Sequence, residues 1–155
     1  MFILKNPSTA DENTDDPTLK WVVGWTYRNN IHNFTICNLY AYVDAGQDNL
    51  KNVKQDECIG KSNNDEIKKC LMEHEEIILG WGGHKPLNEK DYDARIKEVL
   101  KFEEIKNKEL FKVGECPKEE YPRHPLYHWF YKTNMTKKSP FNLQIALDRL
   151  NDKYT

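Results

Sequence analysis

Residues 2–9 read FILKNPST. Three large apolar residues open the stretch, as expected of a strand buried on both faces. Pro7, Ser8 and Thr9 then stop it abruptly, because proline cannot donate to a ladder and small hydroxyl residues favour turns. The stretch predicts a first buried strand over 2–6. A strand of this kind belongs in a sheet with helices on both faces, so the question for the rest of the chain is whether strand-like and helix-like segments alternate.

They do. Residues 10–18 (ADENTDDPT) form a polar loop in which Asp15 or Asp16 can cap a helix with Pro17 in its first turn. Leu19, Val22 and Val23 then fall on one helical face with Tyr27 a turn later, and Asn29-Asn30 end the helix. Residues 34–43 (FTICNLYAYV) predict a second strand, rich in β-branched and aromatic residues. A polar stretch over 44–64 leads to a short amphipathic helix with Ile67, Cys70 and Leu71 on one side. Residues 76–81 (EIILGW) predict a third strand running into Gly82-Gly83. Asp91 can cap a helix with the stripe Tyr92, Ile96, Val99, Leu100 and Ile105, and 110–114 (LFKVG) predict a fourth strand. After a Pro-rich loop over Arg123 to Tyr127, Ser139-Pro140 begins a last helix facing Leu143, Leu147 and Leu150 inward. Right-handed crossovers turn this order into a three-layer α/β/α sandwich around a four-stranded parallel sheet, one domain over 1–155.

Composition narrows the function. The 155 residues include four Trp, eight Tyr and six Phe, enough for a real core. The net charge of -2 lacks the basic excess that a tight nucleic-acid binder uses to replace phosphate counterions. Cys37, Cys58, Cys70 and Cys116 are scattered without zinc-like spacing, which predicts reduced thiols, a cytoplasmic protein and no metal or cofactor. No apolar run is long enough to span a membrane, and Met1 to Leu4 is too short for a signal peptide.

Ligands of parallel sheets bind beyond the carboxyl ends of the strands. That rule selects four places. Asn6-Pro7-Ser8 follows the first strand, where the Asn6 amide either ends a turn or orients a water or a base. Asn38 interrupts an apolar strand, with Tyr40 two residues on, and either ties down backbone or reads a ligand edge. Trp81, before Gly82-Gly83, stacks a base or fills the core. The late loop Arg123-His124-Pro125-Leu126-Tyr127-His128 is the densest cluster of side chains able to hold an anion. Residues 121–147 contain no Asp or Glu and interleave cations with aromatics, as a nucleic-acid face or a face for a DNA mimic would.

Taken together, Asn6-Pro7-Ser8-Thr9-Ala10, Asp15-Asp16-Pro17-Thr18, Asn38-Leu39-Tyr40-Ala41-Tyr42, Leu79-Gly80-Trp81-Gly82 and His124-Pro125-Leu126-Tyr127 resemble the bacterial and phage family catalogued as domain of unknown function 1643. That family in turn looks like a divergent uracil-DNA glycosylase. The resemblance implies that Asn6 matches the water-positioning Asn of one branch, Asn38 the base-reading Asn and His124 the residue that steadies charge on the departing base. Leu126 lies near the wedge that props open the duplex. Departures accompany the matches. The most active branch has Asp where Asn6 stands, Ser8 replaces a bulky Tyr, and the phosphate-pinching serines around the late loop are absent.

Three expectations follow. The first is a glycosylase-like pseudo-enzyme, monomeric alone, that keeps the cleft surface, contacts DNA weakly and binds a DNA-mimic uracil-DNA glycosylase inhibitor protein. In it Pro7, Ser8, Asn38, Tyr40 and Trp81 form the pocket, and Arg123, Pro125, Leu126, Tyr127 and His128 face the partner. The second is an active DNA glycosylase or base-processing enzyme on a uracil-like or modified base, with Asn6 and His124 catalytic. The third is a nucleotide-binding module.

Overall fold

Alternating apolar residues at the start of the chain serve two separate cores. Phe2 and Leu4 face one, while Met1 and Ile3 face the other. The computed structural model describes residues 1–7, 16–43, 53–116, 118–126 and 138–155. Within them the order is β1 (Phe2–Leu4), α1 (Pro17–Arg28), β2 (Ile36–Asn38), α2 (Gln55–Ile59), α3 (Asn63–Glu73), β3 (Glu76–Leu79), α4 (Glu89–Leu100), a 3-10 turn (Glu103–Ile105), β4 (Glu109–Val113), β5 (Lys138–Pro140) and α5 (Leu143–Asp152).

The sheet order is β2-β1-β3-β4-β5. The first four strands are parallel, with Leu4 beside Asn38 and Ile3 beside both Cys37 and Leu79. The fifth is antiparallel to β4. The sheet is thus five-stranded and mostly parallel, one strand more than the sequence predicts. The added strand is the segment read as the start of the last helix. Ser139 pairs with Lys112 and Pro140 with Phe111. Proline is tolerated there because β5 is an edge strand. Asn142 caps α5 instead, accepting from the Ile145 N–H at 3.0 Å.

Strand order dictates which face each helix covers. From β1 to β2 the chain steps one way, and from β2 to β3 it steps back past β1. Right-handed crossovers therefore put α1 on one face and the later helices on the other. The cores agree. Val22 and Trp25 of α1 pack with Phe2, Leu4, Ile78 and Val113. Ile67, Leu71, Tyr92, Ile96, Val99, Ala146 and Leu150 pack with Ile3, Ile77 and Leu79.

Three local readings need correcting. The inward stripe of α1 is Val22, Trp25 and Thr26, whereas Leu19, Val23 and Tyr27 point outward. Trp25 is 1% exposed and sits edge-on to Phe2, with ring centroids 5.7 Å apart. Helix α4 is capped by Asn88, which accepts from the Asp91 N–H at 3.2 Å, and Ile105 belongs to the 3-10 turn. The polar stretch 44–64 contains α2, held by buried Cys58. The cap on Asp16 and the stop at Asn29 stand as expected. No helix among the described residues is long and apolar enough to cross a membrane.

Candidate functional site

The order β2-β1-β3 makes the ends of β1 and β3 a topological switch point, where successive crossovers leave in opposite directions and open a crevice. Lys5 leaves β1 at that crevice. Its ammonium donates to the Gly83 carbonyl and to the Lys85 carbonyl at 3.0 Å, bridging β1 to the loop after β3. It lies 5.3 Å from the centre of the Tyr92 ring. Burial pushes its pKa down to about 8. Sequence reasoning missed Lys5. The available signal was a lysine closing an otherwise apolar strand, which a buried strand end tolerates only if the ammonium finds carbonyls.

Beside it, the late loop folds onto the end of β3. The Gly82 N–H donates to the Pro122 carbonyl at 2.8 Å. A Cβ on Gly82 would lie 3.1 Å from the His124 Cβ, and its φ of +69° disfavours other residues. The Gly-rich end of β3 is therefore the seat of the His124 loop. The His124 Nδ1 lies 3.2 Å from the Leu126 N–H and can only accept from it, which places the ring proton on Nε2. Burial and then the Lys5 charge lower the His124 pKa to about 4, with Asp16 acting in the opposite sense. The result is a neutral imidazole whose Nε2–H is a donor with no partner among the described residues. Asp16 is close enough to act on it, yet its carboxylate caps α1, accepting from the Thr18 N–H at 2.7 Å.

Asn6 is half-buried, and its amide donates to the Pro7 carbonyl at 3.1 Å. Asn38 ends β2. Its carbonyl accepts from Asn63 Nδ2 at 3.1 Å, while its buried Oδ1 has no partner among the described residues. Such an acceptor costs about 1–3 kcal/mol until a donor reaches it. Tyr40 is buried beneath, its N–H on the Lys5 carbonyl at 3.0 Å and its ring stacked on Tyr92. The Tyr92 hydroxyl donates to the Trp81 and Gly82 carbonyls at 3.0 and 3.1 Å. Trp81 is fully buried, with its indole N–H on the Glu120 carbonyl at 3.0 Å, so it supports the crevice from below. Arg95, also missed, donates from Nε to the Leu39 carbonyl at 2.8 Å and is buried to 1% exposure. Nothing in the helical pattern marked it.

The fold therefore gathers Asn6, His124, Pro125 and the partly buried Arg123 at the ends of β1 and β3, with Asn38 at the end of neighbouring β2. Leu126 is exposed beside them. Ser8, Tyr127 and His128 lie outside the described residues. No group of metal-ligating side chains occurs among the described residues. Chemically, the ends of β1 and β3 bring a neutral His donor and a confined ammonium close to the Asn6 amide, an arrangement suited to carbonyl-rich or anionic ligands.

A family model described as Protein of unknown function (DUF1643) matches residues 1–126, so the chain belongs to that family. No curated protein and no solved structure matches it.

Proposed function

With that family membership as the premise, we propose that this chain is a glycosylase-like pseudo-enzyme. It keeps a base-binding cleft of the uracil-DNA glycosylase type and uses that surface to bind a DNA-mimic inhibitor protein of such enzymes. The observation that carries this reading is the arrangement of Asn6. Asn6 is an amide, which takes up no proton near neutral pH, and its Nδ2 donates to the Pro7 carbonyl, while Oδ1 of the nearby Asp16 carboxylate is engaged in capping α1. A positioned general base contributes about 10²–10⁴-fold to rate, and neither group is set to act as one. The donor side of the cleft is retained in the His124 Nε2–H and Lys5. Donors and cations without a base bind an acidic mimic as they would bind a phosphate-lined ligand, but do not hydrolyse it.

The experiment is base release from uracil-containing single- and double-stranded DNA, run beside calorimetric titration with a uracil-DNA glycosylase inhibitor protein. The expected result is no release and tight binding that weakens when His124 is replaced by Ala. Release of base, or failure to bind the inhibitor, overturns the reading.

One observation favours a second reading, an active DNA glycosylase on a uracil-like or modified base. A neutral His with an Nε2–H that has no partner among the described residues is the form that donates to a developing oxyanion without first losing a proton. In that case Asn6→Ala and His124→Ala each abolish release while leaving the thermal unfolding midpoint near that of the parent.

A further inference from the structure

Helix α3 lies along strand β2, and bonds at both of its ends fix how the two face each other. At the start of the helix, Asn63 Nδ2 donates to the Asn38 and Leu39 carbonyls at 3.1 and 3.0 Å. At the far end, His74 Nδ1 bonds the Cys70 carbonyl at 2.8 Å, and His74 Nε2 bonds the Thr35 hydroxyl at 3.2 Å. The helix therefore runs antiparallel to the strand. The middle of β2 meets the inward side of α3, where Ile67 and Leu71 are buried and Cys70 shares their face.

Cys37 is the middle residue of β2 and turns to the same core. Its thiol meets that of Cys70 closely enough for the two side chains to share a hydrogen bond. Both cysteines are half-buried, and neither is in a disulfide. The other two thiols point elsewhere. Cys58 Sγ turns to the Val53 carbonyl at 3.8 Å, and Cys116 Sγ to the Lys118 and Tyr121 carbonyls, both at 3.4 Å. Among the described residues no third metal-ligating side chain completes a group with Cys37 and Cys70.

We propose that Cys37 and Cys70 are a redox-sensitive pair that closes into a reversible disulfide and staples β2 to α3. The oxidant is a small disulfide such as oxidised glutathione. Cys70 attacks one of its sulfurs, the glutathione S–S bond breaks, and one glutathione leaves as a thiol. Cys37 then attacks the Cys70 sulfur of the mixed disulfide, and the second glutathione leaves. Both cysteine protons end on glutathione, so two cysteines are oxidised while one disulfide is reduced to two thiols. Burial, and after it the bond to Cys70, push the Cys37 thiol up to about 12, so the first attack falls to Cys70. Cys37 acts second, on a sulfur already beside it, where proximity offsets its weak acidity. Asn38 follows Cys37 directly, so the staple holds the strand that carries it. The pair is independent of the pseudo-enzyme reading, which its test leaves untouched.

The test uses the full chain. Reduced protein is incubated in native buffer with oxidised glutathione, blocked with N-ethylmaleimide and mapped by peptide mass spectrometry. The expected product is a monomer lighter by two hydrogens, with the peptides of Cys37 and Cys70 joined and both thiols restored by dithiothreitol. Cys37→Ser and Cys70→Ser each lose the link, and Cys116→Ser keeps it. The urea midpoint of the linked form rises by about 1 M, a shift absent from Cys37→Ser given the same treatment. Glutathione adducts without a Cys37–Cys70 link, or links between chains or to another cysteine, overturn the proposal. A link that forms only in urea, or one that leaves the midpoint unchanged or lower, overturns it as well.

Discussion

His124 shows how a single side chain acquires a defined state from its surroundings. Its Nδ1 is occupied by the Leu126 N–H, it is half-buried, and an ammonium stands nearby. Its folded pKa of about 4 lies below the ordinary value of 6.5. Between those values the unfolded chain binds a proton that the folded chain does not. Stability is therefore unaffected above pH 6.5 and falls as pH drops from 6.5 toward 4. Imidazole carbon shifts followed by NMR should show a neutral Nε2–H ring from pH 8 down to 5, and Lys5→Met should raise the midpoint. A midpoint near 6.5 in the parent would mean that the ring is solvated. Gly82 and Gly83 form a matched pair for the seat beneath it. Gly82→Ala meets the His124 Cβ and a positive φ, so it should destabilise by about 1–3 kcal/mol in urea unfolding. Gly83→Ala, with open space around it, should lie within about 0.5 kcal/mol of the parent.

Among the elements, α1 separates what patterning can and cannot say. Its start and stop were legible because Asp16, Pro17 and Asn29-Asn30 act through local backbone chemistry. Its inward face was not, since the helix offers two apolar rows and only the opposing sheet chooses between them. Phe2, Leu4 and Ile78 accept Trp25, which leaves the Leu19 row outside. Gly24 lies inside this helix with free space at its Cβ, so Gly24→Ala should stabilise the protein by about 0.5–1 kcal/mol, read as a rise in the urea midpoint. Strand β5 teaches the converse. Ser139-Pro140 looks like a helix start, and the available edge of β4 turned it into a strand.

At the scale of the whole molecule, the late loop is held to the sheet by paired charges. The Lys112 ammonium meets the Glu119 carboxylate, and both are nearly buried. Glu119 also accepts from the Asn142 N–H at 2.6 Å, joining β4, the His124 loop and α5. Lys112→Met strands a buried carboxylate and should cost roughly 3–5 kcal/mol in equilibrium unfolding, much of it recovered by adding Glu119→Gln. A loss under 1 kcal/mol in the single variant would show that the pair is solvated. The sequence alone determined the alternation of strands and helices, the α/β class, and the turn that carries Asn6 out of the first strand. These follow from hydrophobic period, turn chemistry and the handedness of crossovers, which act locally. Only the tertiary structure decided the strand order, the fifth strand, the role of Lys5 and the neutral state of His124. Each of these depends on groups far apart in the chain. Lys5 meets the carbonyls of Gly83 and Lys85, and the His124 loop rests on Gly82, contacts that no local pattern encodes.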